Sequence, residues 1–201
     1  MKRFVDVVVG TAILIAVSPL LVVTALIIRL TSRGPILFRQ TRIGVHGAPF
    51  EMLKFRSMRL ASDVSIHQAY VTELLKAGPE TQTVAHKLER DPRITRFGRL
   101  IRRFSIDELP QLFNVLRGEM SLVGPRPPLP YEVELYDPKY HRRFDVRPGL
   151  TGLWQVSGRN LVSLRTMLEL DVRYVETRSL FLDFRILVQT MRVVIRGDGA
   201  A

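Results

Sequence analysis

The stretch that decides the fold is residues 7–28, VVVGTAILIAVSPLLVVTALII, which carries no charged residue over 22 positions. A straight helix needs about 20 apolar residues to cross the hydrocarbon core of a bilayer, so this stretch predicts a membrane helix. A secretory signal peptide also combines a basic start with an apolar run. The run is longer than a typical signal-peptide core, and no clean cleavage motif of small residues follows it, which favours the membrane helix.

The centre of this stretch is Ser18-Pro19. A proline removes one helical hydrogen bond, so it predicts a kink or a break. Basic residues, which favour the cytoplasmic side of a membrane, flank both ends of the stretch at Lys2, Arg3, Arg29 and Arg33. A kinked helix that spans the bilayer places one basic cluster outside, whereas a helix broken at Pro19 keeps both inside. These residues leave both topologies open, and the second predicts Asp6 near the interface, paired with Lys2 or Arg3.

Chain length and net charge limit the number of domains and the class of partner. The 201 residues suffice for one domain with its own core, and the net charge of +11 calls for an anionic partner. That partner is a nucleic acid, an anionic lipid or a phosphorylated substrate. The chain has no cysteine, which excludes disulfides, thiolate metal sites and a cysteine nucleophile. Its four histidines show no metal-ligand spacing.

The rest of the chain predicts an α+β fold that is mostly helical. A hairpin is expected from residues 36–38 and 50–53 around a turn at 44–49, and a rigid extended loop from the proline-rich residues 124–130. Helices are expected at 109–116, 163–175 and 180–195, partial helix at 131–144, an extended segment at 150–156, and helix and loop at 60–90.

Residues 93–103 predict a basic amphipathic helix. Its arginines recur every three or four positions and share one face: Arg93, Arg96, Arg99 and Arg103. Phe97, Leu100 and Ile101 are expected on another face. Such a helix lies in a membrane interface or covers a protein core with a solvated face, and the pattern leaves both interpretations open.

Asp107 and Glu108 form an acidic pair between this helix and the next. Adjacent helical side chains diverge by about 100°, so the two carboxylates have different tasks: one as a nucleophile on phosphorus, the other as a ligand of Mg²⁺. The alternative is a capping box, in which Ser105 and Glu108 only begin a helix, and the pair taken alone fits that better. Pro110 fits a helix that begins nearer Asp107 and weakens the capping box.

Several motifs together closely resemble the bacterial sugar transferases, the monotopic polyprenyl-phosphate phosphoglycosyl transferases. The resemblance covers nearly the whole chain in order. The segments that carry it are KRFVD at 2–6, SP at 18–19, KFRSM at 54–58, SIDELPQLFNVLRGEMS at 105–121, VGPRP at 123–127 and RPGLTGLWQVSGRN at 147–160. The family is known in small forms and in larger forms with extra membrane domains, so the chain is expected to be a small member or a catalytic fragment.

The resemblance implies a reaction and a place for it. A nucleotide-diphosphate sugar, usually UDP-linked, gives its sugar 1-phosphate to Asp107 and releases UMP, and polyprenyl phosphate then takes it. Glu108 helps to bind Mg²⁺. The resemblance also favours a re-entrant membrane helix over residues 1–33, broken at Ser18-Pro19, and a cytosolic catalytic domain over 34–201. The expected location is the cytoplasmic face of the bacterial inner membrane, in contact with its lipids.

The resemblance further implies donor-binding residues. Arg126 lies in the rigid proline-flanked loop and is expected to bind the nucleotide sugar through bidentate phosphate contacts. Lys54, Arg102 and Arg159 are expected to contact phosphate or nucleotide, with structural ion pairs as the alternative for each. Trp154 is expected to pack in the core or at an interface. For two further acids, Asp171 and Asp183, solvated faces are expected rather than a supporting role.

A second functional class is a membrane-anchored basic adaptor or scaffold without catalysis. The charge of +11 favours it. The chain shows no helix-turn-helix, zinc or RNA-recognition pattern, so nucleic acid is not expected as a partner. An intact acidic pair argues against an inactive scaffold.

Overall fold

The computed structural model describes residues 1–58, 93–158 and 162–196. The chain begins with helix α1, Lys2–Thr31, followed by a hairpin of strands β1, Leu37–Ile43, and β2, Pro49–Phe55. Then follow α2 Arg96–Arg103, α3 Gln111–Arg117, β3 Ser121–Val123, α4 Pro130–Glu134, β4 Gly149–Thr151, α5 Leu153–Val156, α6 Leu164–Thr177 and α7 Leu180–Arg196. Short 3₁₀ turns occupy Val45–Gly47, Ile106–Glu108 and Pro138–Asp145. The predicted helix and loop at 60–90 lie outside the described residues. The mostly helical α+β class is confirmed.

Helix α1 is long and apolar enough to cross a membrane by its length and composition. It is helical from Lys2 to Thr31 with Pro19 inside it, so no non-helical residues separate two helices at Ser18-Pro19. A proline inside a helix removes one hydrogen bond, and a helix that continues through it is kinked there. Ser18 Oγ donates to the carbonyl of Ile15 at 2.8 Å, which satisfies an acceptor in the preceding turn.

The N-terminal end of α1 is held to the rest of the fold by polar contacts. Lys2 Nζ lies 2.6 Å from Asp183 Oδ2, and Arg3 donates to the carbonyl of Leu116 at 2.8 Å. The Asp6 side chain is buried, at 4% exposure, and accepts from Ser121 Oγ and from the Leu122 backbone N–H. The expected pairing of Asp6 with Lys2 or Arg3 at the interface is therefore wrong. A buried carboxylate requires close donors, and the start of β3 supplies them.

Both halves of α1 pack against the same globular body. The first half contributes Val9, Ile13, Leu14 and Val17 to the main core, which contains Leu112, Val115, Met120, Tyr174 and Ile186. In the second half, Ile28 is buried with Phe55 and Ile101, and Leu21 and Ala25 pack beside them. The other face of α1 presents large exposed apolar side chains: Val8, Ile15, Leu20, Val22, Val23, Leu26 and Leu30.

Two small sheets position the loops of the fold. The antiparallel hairpin has the predicted place, with Leu37 opposite Phe55 and Ile43 opposite Pro49. Strands β3 and β4 form a parallel pair in which Ser121 lies opposite Gly149. A Cβ on Gly149 would lie 2.1 Å from the backbone nitrogen of Gly124, so only glycine permits this approach of the two backbones.

The remaining predicted elements are confirmed with two exceptions. The proline-rich segment contains neither helix nor strand from 125 to 129, and α3, α6 and α7 fall within two residues of their predicted limits. The extended segment predicted at 150–156 is wrong from Leu153 onward, where α5 begins. Helix α2 begins at Arg96 rather than at 93, so Arg93 lies before it. In α2, Ile101 is buried and Phe97 half-buried, but Leu100 is 51% exposed.

Candidate active site

Asp107 and Glu108 lie in a 3₁₀ turn between α2 and α3. Ser105, which precedes the turn, adopts the left-handed conformation at φ 54° and makes no side-chain capping bond. The capping-box interpretation is therefore wrong, because its serine does not reach the backbone of the turn. Pro110 directly precedes α3, where it removes no hydrogen bond from the helix.

The two carboxylates of the pair face different surroundings. Asp107 is 9% exposed, whereas Glu108 is half-buried. Lys54 Nζ, from strand β2, donates to Glu108 Oε1 at 2.8 Å. The fold thus brings together two predicted site residues that are 54 positions apart. The ammonium of Lys54 stabilises negative charge on Glu108, directly beside the buried Asp107.

Asn114 fixes the strand that carries Lys54. Its Oδ1 accepts from the Leu53 backbone N–H at 3.0 Å, and its Nδ2 donates to the Glu51 carbonyl and to Glu119 Oε2, each at 2.7 Å. These bonds satisfy the outer edge of β2 and join it to α3, which follows the acidic pair. The sequence analysis did not single out Asn114. The signal available in the sequence was an amide side chain within an apolar segment, between Leu112 and Val115. The structure shows that both of these neighbours are fully buried.

Arg126 lies in the extended loop after β3 and is half-buried. Its carbonyl accepts from Arg143 at 2.7 Å, and the next carbonyl, of Pro127, accepts from Arg42 at 3.0 Å. Burial, together with the nearby charge of Arg126, lowers the pKa of the Arg42 guanidinium to about 10. A small cavity beside the loop, with room for about one water molecule, is lined in part by Arg126, Arg143 and Pro128.

Asp171 and Asp183 are buried and paired, so the solvated faces expected for them are wrong. Asp171 is 0% exposed, with its Oδ2 2.6 Å from Arg143. Burial raises the pKa of Asp171 to about 6, although Arg143 and the Arg126 backbone N–H lower it. Asp183 accepts from the Tyr174 hydroxyl at 2.6 Å and pairs with Lys2. Burial, and then Asp183, raise the pKa of Tyr174.

The other predicted site residues have separate positions. Arg102 is half-buried in the last turn of α2, and its carbonyl accepts from the Ser105 backbone N–H at 3.1 Å, so it leads directly into the acidic turn. Arg159 lies outside the described residues. Trp154 packs against a cluster that contains Tyr136, Tyr140 and Leu168, as expected for a packing role.

Comparisons with known proteins agree along the whole chain. Residues 1–197 match the family described as bacterial sugar transferase. The chain is 44% identical to an uncharacterized sugar transferase of Haemophilus influenzae over 203 residues, which cover 100% of this chain and 42% of that protein. It is 42% identical to the exopolysaccharide production protein ExoY of Sinorhizobium fredii, covering 99% of this chain and 87% of that protein.

A further relative, from Caulobacter vibrioides, has the name UDP-glucose:undecaprenyl-phosphate glucose-1-phosphate transferase. It is 42% identical over 207 residues, which cover 99% of this chain and 71% of that protein. The match therefore includes helix α1, the acidic turn, the proline-rich loop and the last helices of the fold. This chain belongs to the bacterial sugar transferase family.

Proposed function

We propose that the chain transfers a sugar 1-phosphate from a nucleotide-diphosphate sugar, a UDP-sugar, to polyprenyl (undecaprenyl) phosphate and releases UMP. The reaction is the first membrane step in the assembly of an exopolysaccharide, capsule, O-antigen or glycoprotein glycan. One observation carries the proposal: a buried Asp107 adjoins a Glu108 that is paired with Lys54 at 2.8 Å. The printed name of the Caulobacter relative supports the donor and acceptor classes.

The proposed reaction has two displacements at one phosphorus atom. First, a carboxylate oxygen of Asp107 attacks the sugar-bearing phosphorus of the donor, the bond between the two donor phosphates breaks, and UMP leaves. Then a phosphate oxygen of the polyprenyl phosphate attacks the same phosphorus, and the bond to Asp107 breaks. The aspartate is regenerated and the product is a polyprenyl-diphosphate sugar.

Burial suits Asp107 to this task. Its partial exclusion from water leaves the carboxylate poorly hydrated, so the nucleophile loses little solvation when it attacks. Lys54 and Glu108 form an ion pair beside Asp107. Their proposed role is to position groups in the site, not to attack phosphorus. Phosphoryl transfer depends mainly on positioning and on charge neutralisation, and this arrangement offers both.

The acidic pair also fits Mg²⁺ binding by donor type. Among the described residues no group of three His, Asp or Glu side chains could hold a metal. Mg²⁺ is commonly held by one or two carboxylates together with substrate phosphates, so a site with few protein ligands is suitable. Glu108 would hold the ion, which when bound neutralises charge on the donor diphosphate. Lys54 keeps the Glu108 carboxylate in place for that contact.

Basic side chains complete the proposed donor site. Arg126 borders the cavity beside the proline-rich loop, and Lys54 reaches the acidic turn. Arg102 leads into that turn from α2. Together with Arg159, these residues are proposed to contact the nucleotide or its phosphates, where their positive charge neutralises the negative charge of the diphosphate.

The proposed location is the cytoplasmic face of the inner membrane, with α1 re-entrant and residues 34–201 in the cytosol. Both halves of α1 pack on the same globular body, which favours two ends on one side of the bilayer. Leu100 on α2 and Phe104 directly after α2 are exposed beside arginines, a pattern that fits an interface with anionic lipid. The acceptor phosphate lies at that same headgroup level.

The test uses the full chain in nanodiscs with undecaprenyl phosphate, Mg²⁺ and a panel of UDP-sugars. The measured products are UMP and the lipid-linked sugar. Formation of both from one donor supports the transferase. A protein that binds anionic lipid but forms neither product from any donor is an adaptor or scaffold, and the proposed function is then wrong.

A further inference from the structure

A buried ion pair lies directly behind Arg126. Arg143 comes from the 3₁₀ turn Pro138–Asp145, and Asp171 comes from α6. Their side chains are 1% and 0% exposed, and the two groups are 2.6 Å apart. The Arg143 guanidinium also lies 5.2 Å from the centre of the Tyr136 ring, and this contact helps to hold the plane of the guanidinium.

The ion pair contacts the backbone of Arg126 through Arg143. The same Arg143 nitrogen that contacts Asp171 donates to the Arg126 carbonyl at 2.7 Å. Asp171 in turn holds that Arg143 nitrogen, while its Oδ1 has no hydrogen-bond partner among the described residues. The ion pair therefore holds the Arg126 carbonyl through Arg143, which borders the same small cavity as Arg126.

The energetics argue for a task beyond stability. A buried ion pair contributes little net stability, because desolvation of the two charges offsets their attraction. Arg143 Nε and NH1 and Asp171 Oδ1 have no hydrogen-bond partner within the described part of the chain, which increases that cost. Apolar side chains of similar size would stabilise the core as much as the ion pair does, but they could not donate a hydrogen bond to the Arg126 carbonyl.

We propose that Arg143 and Asp171 are positioning residues that fix the Arg126 backbone, so that the Arg126 guanidinium meets the donor phosphates in one orientation. This inference rests on the proposed role of Arg126 in donor binding. A rigid backbone matters for a bidentate contact, because a shift of about 1 Å at a binding group can reduce a rate on the order of 100-fold.

The test separates positioning from stability with a double variant, Arg143→Met with Asp171→Leu. It removes both charges together, so it avoids the uncompensated buried charge that either single substitution leaves and is expected to fold. The matched control is Arg142→Ala with Glu176→Ala. That pair joins the same 3₁₀ turn to α6 at 2.9 Å, but both of its side chains are exposed.

The first measurement is the Kd for UDP with Mg²⁺, by calorimetry on the full chain in nanodiscs, with thermal unfolding in parallel. We expect the Met/Leu variant to unfold cooperatively near the wild-type temperature and to bind UDP about tenfold more weakly, and the control pair to bind like wild type. In a protein that already carries Arg126→Ala, adding the double change Arg143→Met with Asp171→Leu should cause no further loss of UDP affinity. The reason is that the ion pair affects binding only by positioning Arg126.

Wild-type affinity in the folded Met/Leu variant would overturn the proposal, as would losses that multiply with that of Arg126→Ala. An unfolded Met/Leu variant would assign the pair to stability and overturn it too. UMP release is measured separately. If wild type binds UDP but releases no UMP from any donor, the transferase proposal fails while the Kd comparison still decides the positioning proposal. If wild type does not bind UDP, the positioning proposal fails, and UMP release alone decides the transferase proposal.

Discussion

Lys54 Nζ lies 2.8 Å from Glu108 Oε1 and joins the hairpin to the acidic turn. The two side chains are 25% and 33% exposed, so water screens their attraction. A pair of this kind contributes between zero and about 1 kcal/mol to stability. Its position beside Asp107 is therefore better explained by a role in orienting Glu108 than by a role in folding.

Replacing Lys54 should reduce activity without unfolding the protein. For Lys54→Met we expect UMP release to fall about 10- to 100-fold, the range for a lost partner of a metal-binding side chain, and a higher Mg²⁺ concentration for half-maximal rate. The free energy of unfolding should change by less than about 1 kcal/mol. Steady-state assays across a Mg²⁺ titration and chemical denaturation provide the two measurements.

The control for this variant is Arg39→Met, which breaks the exposed hairpin pair with Glu51 at 3.3 Å. It should leave the rate and the Mg²⁺ dependence as in wild type. An equal loss of activity in both variants would mean that any charge removed from the hairpin reduces the rate, and the orienting role of Lys54 would be wrong.

Replacing Asn114 should damage the connection between the hairpin and the acidic turn. Asn114→Leu leaves the buried Leu53 N–H and the Glu51 carbonyl without their side-chain partner, at about 1–3 kcal/mol for each unsatisfied group. We expect a loss of about 2–5 kcal/mol in the free energy of unfolding. Glu119→Gln keeps an acceptor for Asn114 and should change stability little. Comparable losses in both variants, measured by denaturation, would contradict the role assigned to Asn114.

The position of α1 can be tested by chemical labelling, because the chain has no native cysteine. Single cysteines are placed directly after Met1, at the exposed Arg33, and at Leu20 in the middle of α1. Re-entry predicts that a membrane-impermeant maleimide reaches both end positions only from the cytoplasmic side of oriented vesicles, and that Leu20→Cys is protected from both sides. Labelling of the two ends from opposite sides would establish a spanning helix instead.

The hairpin and the longer helices were predictable from sequence because their signals are local. Short apolar segments on either side of the turn at 44–49 identify β1 and β2, and periodic apolar residues identify α6 and α7. Strands β3 and β4 have three residues each, too few to show a period, and their parallel pairing joins segments far apart in sequence. Helix α1 continues through Pro19, whereas the proline alone predicted either a kink or a break.

The candidate site was predictable only in part. Asp107 and Glu108 looked like a helix cap, and the left-handed backbone of Ser105 that excludes the cap is not visible in sequence. Resemblance to a family, rather than spacing, singled out the pair. Asp171 and Asp183 looked like solvated acids because their partners are distant: Arg143 lies 28 residues away and Lys2 lies 181 away.

The central claim is that Asp107 forms a covalent bond to the sugar phosphate, and intact-protein mass spectrometry tests it most directly. The protein is mixed with its donor and Mg²⁺ in the absence of polyprenyl phosphate, and the mass is measured after rapid quenching. We predict an increase equal to one sugar phosphate with stoichiometric UMP, both absent in Asp107→Asn and both reversed in wild type when the acceptor is added. An unmodified wild-type mass, with UMP appearing only when the acceptor is present, would mean direct transfer and contradict a nucleophilic Asp107.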